Sequence, residues 1–127
     1  MALGTLKVLV LDDQEIVRLV VRKMLEGIGV GTIVEADDGH AGLEAVAAER
    51  PDVVICDIRM RRLDGFGFIE ALRGRAGGTP PVILLTAHDE VEIAERARDA
   101  GAFAVLTKPA SPKALADALA AATGPRP

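Results

Sequence analysis

The sequence predicts an α/β fold: a doubly wound, five-stranded parallel sheet with five helices on its two faces. Three observations carry this prediction. Short apolar runs alternate with amphipathic stretches from Lys7 to Ala122. The runs Val8-Leu9-Val10-Leu11, Val53-Val54-Ile55-Cys56 and Val82-Ile83-Leu84-Leu85 contain no alternating polar residue, as expected of strands covered on both faces. The carboxyl ends of such strands, where open α/β sheets place their chemistry, carry Asp12-Asp13, Asp57 and Thr86.

Taken in order, the first strand is Lys7 to Leu11, with Asp12-Asp13 directly after it. A helix follows over about Gln14 to Gly27, with Val17, Val20, Val21, Met24 and Ile28 at the spacing of one buried face. Gly27, Gly29 and Gly31 stop it. Thr32 to Ala36 is a more polar strand, suited to an edge. Asp37-Asp38-Gly39, with His40, turns the chain into a helix over about Ala41 to Glu49 that buries Leu43, Val46 and Ala47 ahead of Pro51. Val53 to Asp57 is the central strand, and a polar segment from Ile58 to Asp64-Gly65 leads to a helix over about Phe66 to Leu72. A Gly/Pro-rich loop separates it from the strand Val82 to Leu85, which runs into Thr86-Ala87-His88. A helix over about Glu90 to Ala100 precedes the strand Phe103 to Leu106, which runs into Thr107-Lys108-Pro109. Ser111 and Pro112 open the last helix as N-cap and first residue, and Leu115, Ala118, Leu119 and Ala122 form its buried face.

Right-handed βαβ units and a polar second strand give the flavodoxin-like order 2-1-3-4-5. Residues 1–127 are expected to form a single domain, with a core of about Leu6 to Ala122 and residues 123–127 as a tail or the start of a linker. Half of the residues are apolar, but only three are aromatic, all Phe, so the core is built from Val, Leu, Ile and Ala. The single cysteine, Cys56, has no internal partner and suits a reducing compartment as inert core. A net charge of −4 argues against nucleic acid as a direct partner. No apolar run reaches membrane-spanning length and the N-terminus is no secretory signal, so a cytoplasmic location without membrane contact is expected.

Parallel strands all end on one side of a sheet. Asp12 and Asp13, Asp57, Thr86 and Lys108 therefore converge on one small surface. Crowded carboxylates repel one another, and a hard cation such as Mg2+ relieves this through oxygen ligands. Opposite the acids, a hydroxyl and an ammonium complete a phosphoryl site, with one carboxylate left as nucleophile. Each of these residues alone has a plainer explanation as a turn former, cap or solvated side chain. Their joint placement at four strand ends favours the chemical one.

The pattern Leu11-Asp12-Asp13, Asp57-Ile58-Arg59-Met60 with Leu63-Asp64-Gly65, Leu85-Thr86-Ala87 and Lys108-Pro109 resembles the CheY-like receiver domain of two-component response regulators. The resemblance implies that Asp57 accepts a phosphoryl group from a phosphohistidine on a sensor histidine kinase or phosphotransfer protein. It implies that Asp13, Asp57 and the Arg59 backbone carbonyl bind Mg2+ directly, with Asp12 acting through a bound water. Lys108 would bridge Asp57 and the phosphoryl group, and the Lys108-Pro109 bond would be cis. Thr86 would carry the signal to the face of helix four, strand five and helix five, where a downstream effector or a second copy docks.

Three positions depart from the family pattern. Arg61 replaces a common Pro and makes, with Arg59 and Arg62, a basic loop expected to be solvated. Val105 replaces a common aromatic, so switching rests on Thr86 and the loop after it. Ala110 replaces a common Phe, which loosens packing at the start of helix five. His88 and Arg59 are candidates for controlling water access to the acyl phosphate. Such a switch catalyses only its own phosphorylation and dephosphorylation and turns over no metabolite. Two alternatives stay open: a haloacid-dehalogenase-like phosphatase, whose Asp-x-Asp differs from the adjacent Asp12-Asp13, and a phosphorylation-independent interaction module.

Overall fold

Burial decides the order of the strands. Every residue of β3 (Val53–Asp57) and β4 (Val82–Thr86) is buried, and β1 (Lys7–Leu11) is buried from Val8 onward. Only the last residue of β2 (Thr32–Ala36) is fully buried, and β5 (Ala104–Thr107) is half-buried. Strands without polar alternation need cover on both faces, so the first three belong at the centre. A computed structural model, describing residues 2–75, 78–87 and 91–124, has one parallel sheet in the order β2-β1-β3-β4-β5, the predicted topology.

Five helices cover the sheet: α1 (Glu15–Gly27), α2 (Gly39–Glu49), α3 (Gly65–Arg73), α4 (Val91–Ala100) and α5 (Pro112–Thr123). Successive residues of a strand point to opposite faces, so each apolar run feeds two cores. Leu9, Leu11, Val54, Cys56 and Leu84 meet Leu43 of α2, Phe68 and Leu72 of α3 and Ala97 of α4. Val8, Val10, Ile55, Ile83 and Leu85 meet Val21 and Leu25 of α1 and Leu115 and Leu119 of α5.

Several details differ from the sequence expectation. Asp38 and Asp64, each followed by Gly, act as helix N-caps, accepting the N–H of Ala41 and of Gly67, each at 2.8 Å. An Asp-Gly pair looks like a turn in sequence, but here the carboxylate satisfies a donor of the first helical turn. So α2 and α3 begin at Gly39 and Gly65, and His40 lies in the first turn of α2. On α1 the buried stripe contains Leu25 in place of Val20, which is 52% exposed. The apolar face of α1 is wider than its contact with the sheet, and Val20 lies beyond the contact beside the start of α5. Ala47 of α2 is exposed and Ala118 of α5 half-buried. A short 3-10 turn at Leu3–Thr5, not expected from the sequence, precedes β1. The Ser111 cap is present as expected, with its hydroxyl accepting the Ala114 N–H at 3.0 Å. His88 and the expected helix start at Glu90 lie outside the described residues. Among the described residues, no helix is long and apolar enough to cross a membrane.

Gly65 ties the fold to the end of β3. Its N–H donates to the Ile58 carbonyl at 2.8 Å. A Cβ on it would lie 2.9 Å from both the Asp57 carbonyl oxygen and Ile58 Cα. Both neighbours are backbone and cannot swing away. Gly65→Ala is therefore expected to lower the unfolding free energy by ~1–3 kcal/mol in urea titration. Gly27→Ala is the contrasting case, because a Cβ there meets nothing within 4 Å. It should leave stability unchanged or raise it by up to ~1 kcal/mol.

Candidate functional site

Parallel register determines which residues meet at the carboxyl edge of the sheet. Leu11 pairs with Cys56, so Asp12 leaves β1 level with Asp57. Asp57 pairs with Leu85, and Thr86 with Thr107. Lys108 comes directly after β5, and its N–H donates to the Thr86 carbonyl at 2.7 Å. The Lys108-Pro109 bond is cis, as the resemblance implied.

Asp12, Asp13 and Asp57 each place a carboxylate oxygen within 4.8 Å of the others. Asp12 and Asp57 are only 2% and 7% exposed, and Thr86 beside them is buried. Lys108 Nζ lies 2.9 Å from Asp57 Oδ1 and 3.6 Å from Asp12 Oδ2. One ammonium thus faces two of three crowded acids. Burial raises the Asp12 pKa above its ordinary value; the Gln14 N–H opposes this, the Asp57 charge adds to it, Lys108 opposes it and Asp13 adds to it. Among the described residues, Asp12 Oδ2 is a buried side-chain oxygen without a hydrogen-bond partner. An oxygen-only donor set with surplus negative charge and an unsatisfied buried oxygen suits a hard divalent cation.

Other contacts orient the acids. Asp12 Oδ1 accepts the Gln14 N–H at 2.8 Å, and Arg18 Nη1 donates to the Asp12 carbonyl at 2.7 Å. Arg18 is itself held by Glu35 of β2, with Nε 3.3 Å from Oε1, and Arg22 donates to the other oxygen of Glu35 at 2.9 Å. The basic loop is solvated as expected, with the Arg61 and Arg62 side chains 84% and 76% exposed, and it also touches the acids. Arg61 donates its backbone N–H to Asp13 Oδ2 at 3.1 Å and places Nε 3.5 Å from the same oxygen. Arg62 lies 3.9 Å from Asp38 Oδ2. Arg59 is exposed at the start of this loop.

The sequence reading missed Arg18 and the Arg61 partner. Arg18 sits inside α1 with no pattern linking it to Asp12. The departure from Pro singled out Arg61, but spacing alone gives no side-chain direction. Cys56 is fully buried, and burial pushes its thiol well above the ordinary range, in keeping with inert core. Ala110, Pro109 and Leu115 line a cavity of about 360 Å³ beside α1.

Residues 8–120 match the family model described as the response regulator receiver domain. The chain belongs to this family, the phosphorylation-dependent signalling switches of two-component systems. It is 36% identical over 105 residues to the transcriptional regulatory protein PdtaR of Mycobacterium tuberculosis, covering 83% of this chain and 50% of that protein. It is 38% identical over 100 residues to the DNA-binding transcriptional regulator NtrC of Escherichia coli, covering 79% of this chain and 21% of that protein. The chain thus spans half or less of the length of these curated relatives. Among solved structures it is similar to the chemotaxis protein CheY4 of Vibrio cholerae, at 30% identity and a TM-score of 0.84, covering 92% of this chain and 98% of that one. It is also similar to the signal receiver domain of a signal transduction histidine kinase from Syntrophus aciditrophicus, at 26% identity and a TM-score of 0.83, covering 94% of this chain and 90% of that one.

The raised Asp12 pKa has a sign that can be measured. The folded state holds this proton more tightly than the unfolded chain, so the contribution to stability is full at low pH and is lost as pH rises through the folded value. Asp12→Asn can keep the contact with Gln14 and removes the charge. At pH 7 in chelator it should raise the unfolding free energy by ~1 kcal/mol. The gain should shrink as pH falls toward the ordinary carboxylate value of 3.8.

Proposed function

We propose that this chain is a phosphorylation-driven switch in which Asp57 accepts a phosphoryl group from a phosphohistidine on a sensor histidine kinase or phosphotransfer protein. The observation that carries this reading is the meeting of Asp12, Asp13 and Asp57 at one edge of the sheet with Lys108 against Asp57. Mg2+ held by Asp13, Asp57 and the Arg59 backbone carbonyl, with Asp12 acting through water, would neutralise the acids and offset charge on the transferring oxygens.

A carboxylate oxygen of Asp57 forms the bond to phosphorus as the phosphorus–nitrogen bond to the donor imidazole breaks. The electron pair of that bond leaves with the imidazole nitrogen. Lys108 keeps its ammonium beside the acceptor and offsets charge on the phosphoryl oxygens. The Thr86 hydroxyl hydrogen-bonds a phosphoryl oxygen and links the site to α4, β5 and α5. Water then attacks phosphorus, inorganic phosphate departs and the Asp57 carboxylate is restored. Val105 is half-buried and has no ring to turn, so the signal rests on Thr86 and the segment after it.

The domain is this receiver unit, with its core at about residues 6–122, working in the cytoplasm and turning over no metabolite. A downstream effector, or a second copy, meets the α4-β5-α5 face. The phosphatase alternative is disfavoured by the adjacent Asp12-Asp13, which follow β1 where that family has Asp-x-Asp, with Asp57 as the acceptor on another strand.

Intact mass after incubation with acetyl phosphate and Mg2+ tests the transfer. One added phosphoryl group is expected, absent from Asp57→Asn and from a chelator control. Turnover of p-nitrophenyl phosphate should stay at the level of Asp57→Asn; sustained turnover above it would support the phosphatase reading. With no adduct, failure to bind beryllofluoride, a stable phosphoryl mimic, would support the phosphorylation-independent module.

A further inference from the structure

Arg61 stands on the rim of the acidic site and contacts one carboxylate twice. Its backbone N–H and its Nε both address Asp13 Oδ2, at 3.1 and 3.5 Å. A tight main-chain turn follows this contact. Leu63 N–H donates to the Arg61 carbonyl at 2.9 Å, closing a three-residue turn with Arg62 at its centre. Arg62 has φ 70°, an uncommon conformation for a residue other than glycine. Its guanidinium faces Asp38 and not the acidic site. Among the described residues, Lys108 stands against Asp57 and Asp12, and Arg61 against Asp13.

We propose that Arg61 is a resident competitor of the divalent cation at Asp13. Its guanidinium neutralises that carboxylate before the cation binds and is displaced when it does. This rests on the reading of Asp13 as a metal ligand. A cation arriving at Asp13 meets an oxygen that already accepts one backbone N–H and has a guanidinium charge beside it. Guanidinium and divalent cation repel each other and seek the same lone pairs. The Arg61 side chain is 84% exposed and that of Asp13 only 14%. The guanidinium is thus the member free to leave, and an exposed ion pair costs little to open. The backbone N–H of Arg61 remains to orient Asp13 in both states. Metal loading and the position of the basic loop are thereby coupled.

The test is calorimetric titration of the protein with MgCl2 at low salt, comparing wild type with Arg61→Gln, Arg62→Gln and Asp13→Asn. Glutamine removes the charge and keeps the backbone N–H. Arg61→Gln is expected to bind Mg2+ about three- to tenfold more tightly than wild type, a gap that narrows as KCl screens the pair. Arg62→Gln should stay within about twofold of wild type because its guanidinium faces Asp38. Asp13→Asn should lose most of the binding. Equal affinity of wild type and Arg61→Gln would overturn the competition and leave the metal site standing. Equal tightening in both arginine variants would overturn it as well, by assigning the effect to loop charge in general. Absence of Mg2+ binding in wild type and Arg61→Gln alike would overturn both the competition and the metal site.

Discussion

Three carboxylates held together by parallel strand register are the constraint on which this structure turns. The backbone ladder of β1 and β3 leaves Asp12 and Asp57 level with each other, and Asp13 follows in sequence. Their backbones are fixed by the ends of buried strands. Their repulsion must therefore be met by charge brought to them. Lys108 comes from β5, two strands away from β3, and Arg61 from the loop after β3. A site assembled in this way is sensitive to anything that changes its charge, and a phosphoryl group changes it strongly.

The neighbouring strands differ in how deeply they are buried. Lys108 and Thr86 lie at the ends of β5 and β4 and are joined by a 2.7 Å backbone hydrogen bond. The half-buried β5 strand lies between the acids and the outer surface of the sheet's edge. Strand β3, by contrast, is buried throughout and anchored by Gly65 against the start of α3. The acceptor and Thr86 are thus carried by fully buried strands, and Lys108 follows a more exposed one. That division suits a switch, because local rearrangement concentrates where burial is least.

Much of this was legible in the sequence, for identifiable reasons. Apolar runs such as Val53 to Cys56 have few alternatives to a doubly covered strand, and a polar β2 has few alternatives to an edge. Once the order 2-1-3-4-5 is in place, Asp12, Asp13, Asp57, Thr86 and Lys108 must lie on one edge. What sequence could not supply was direction within an element. The stripe of α1 was read one position too broadly at Val20 and missed Leu25, because a helix with a wide apolar face can rotate on the sheet. Asp38 and Asp64 were read as turn residues because turn and N-cap use the same chemistry. Arg18 and Arg61 reach their partners through long, rotatable side chains that no spacing rule aims.

On the proposed reading Asp57, among several clustered acids, is the group that becomes phosphorylated. Reductive trapping tests it most directly. Borohydride reduces an aspartyl phosphate to homoserine, and peptide sequencing by mass spectrometry then locates the modified residue. Homoserine is expected at position 57 after treatment with a phosphodonor and Mg2+, and at none of positions 12, 13 or 64. Homoserine at Asp12 or Asp13, or a borohydride-stable phosphoryl group on another side chain, would contradict it.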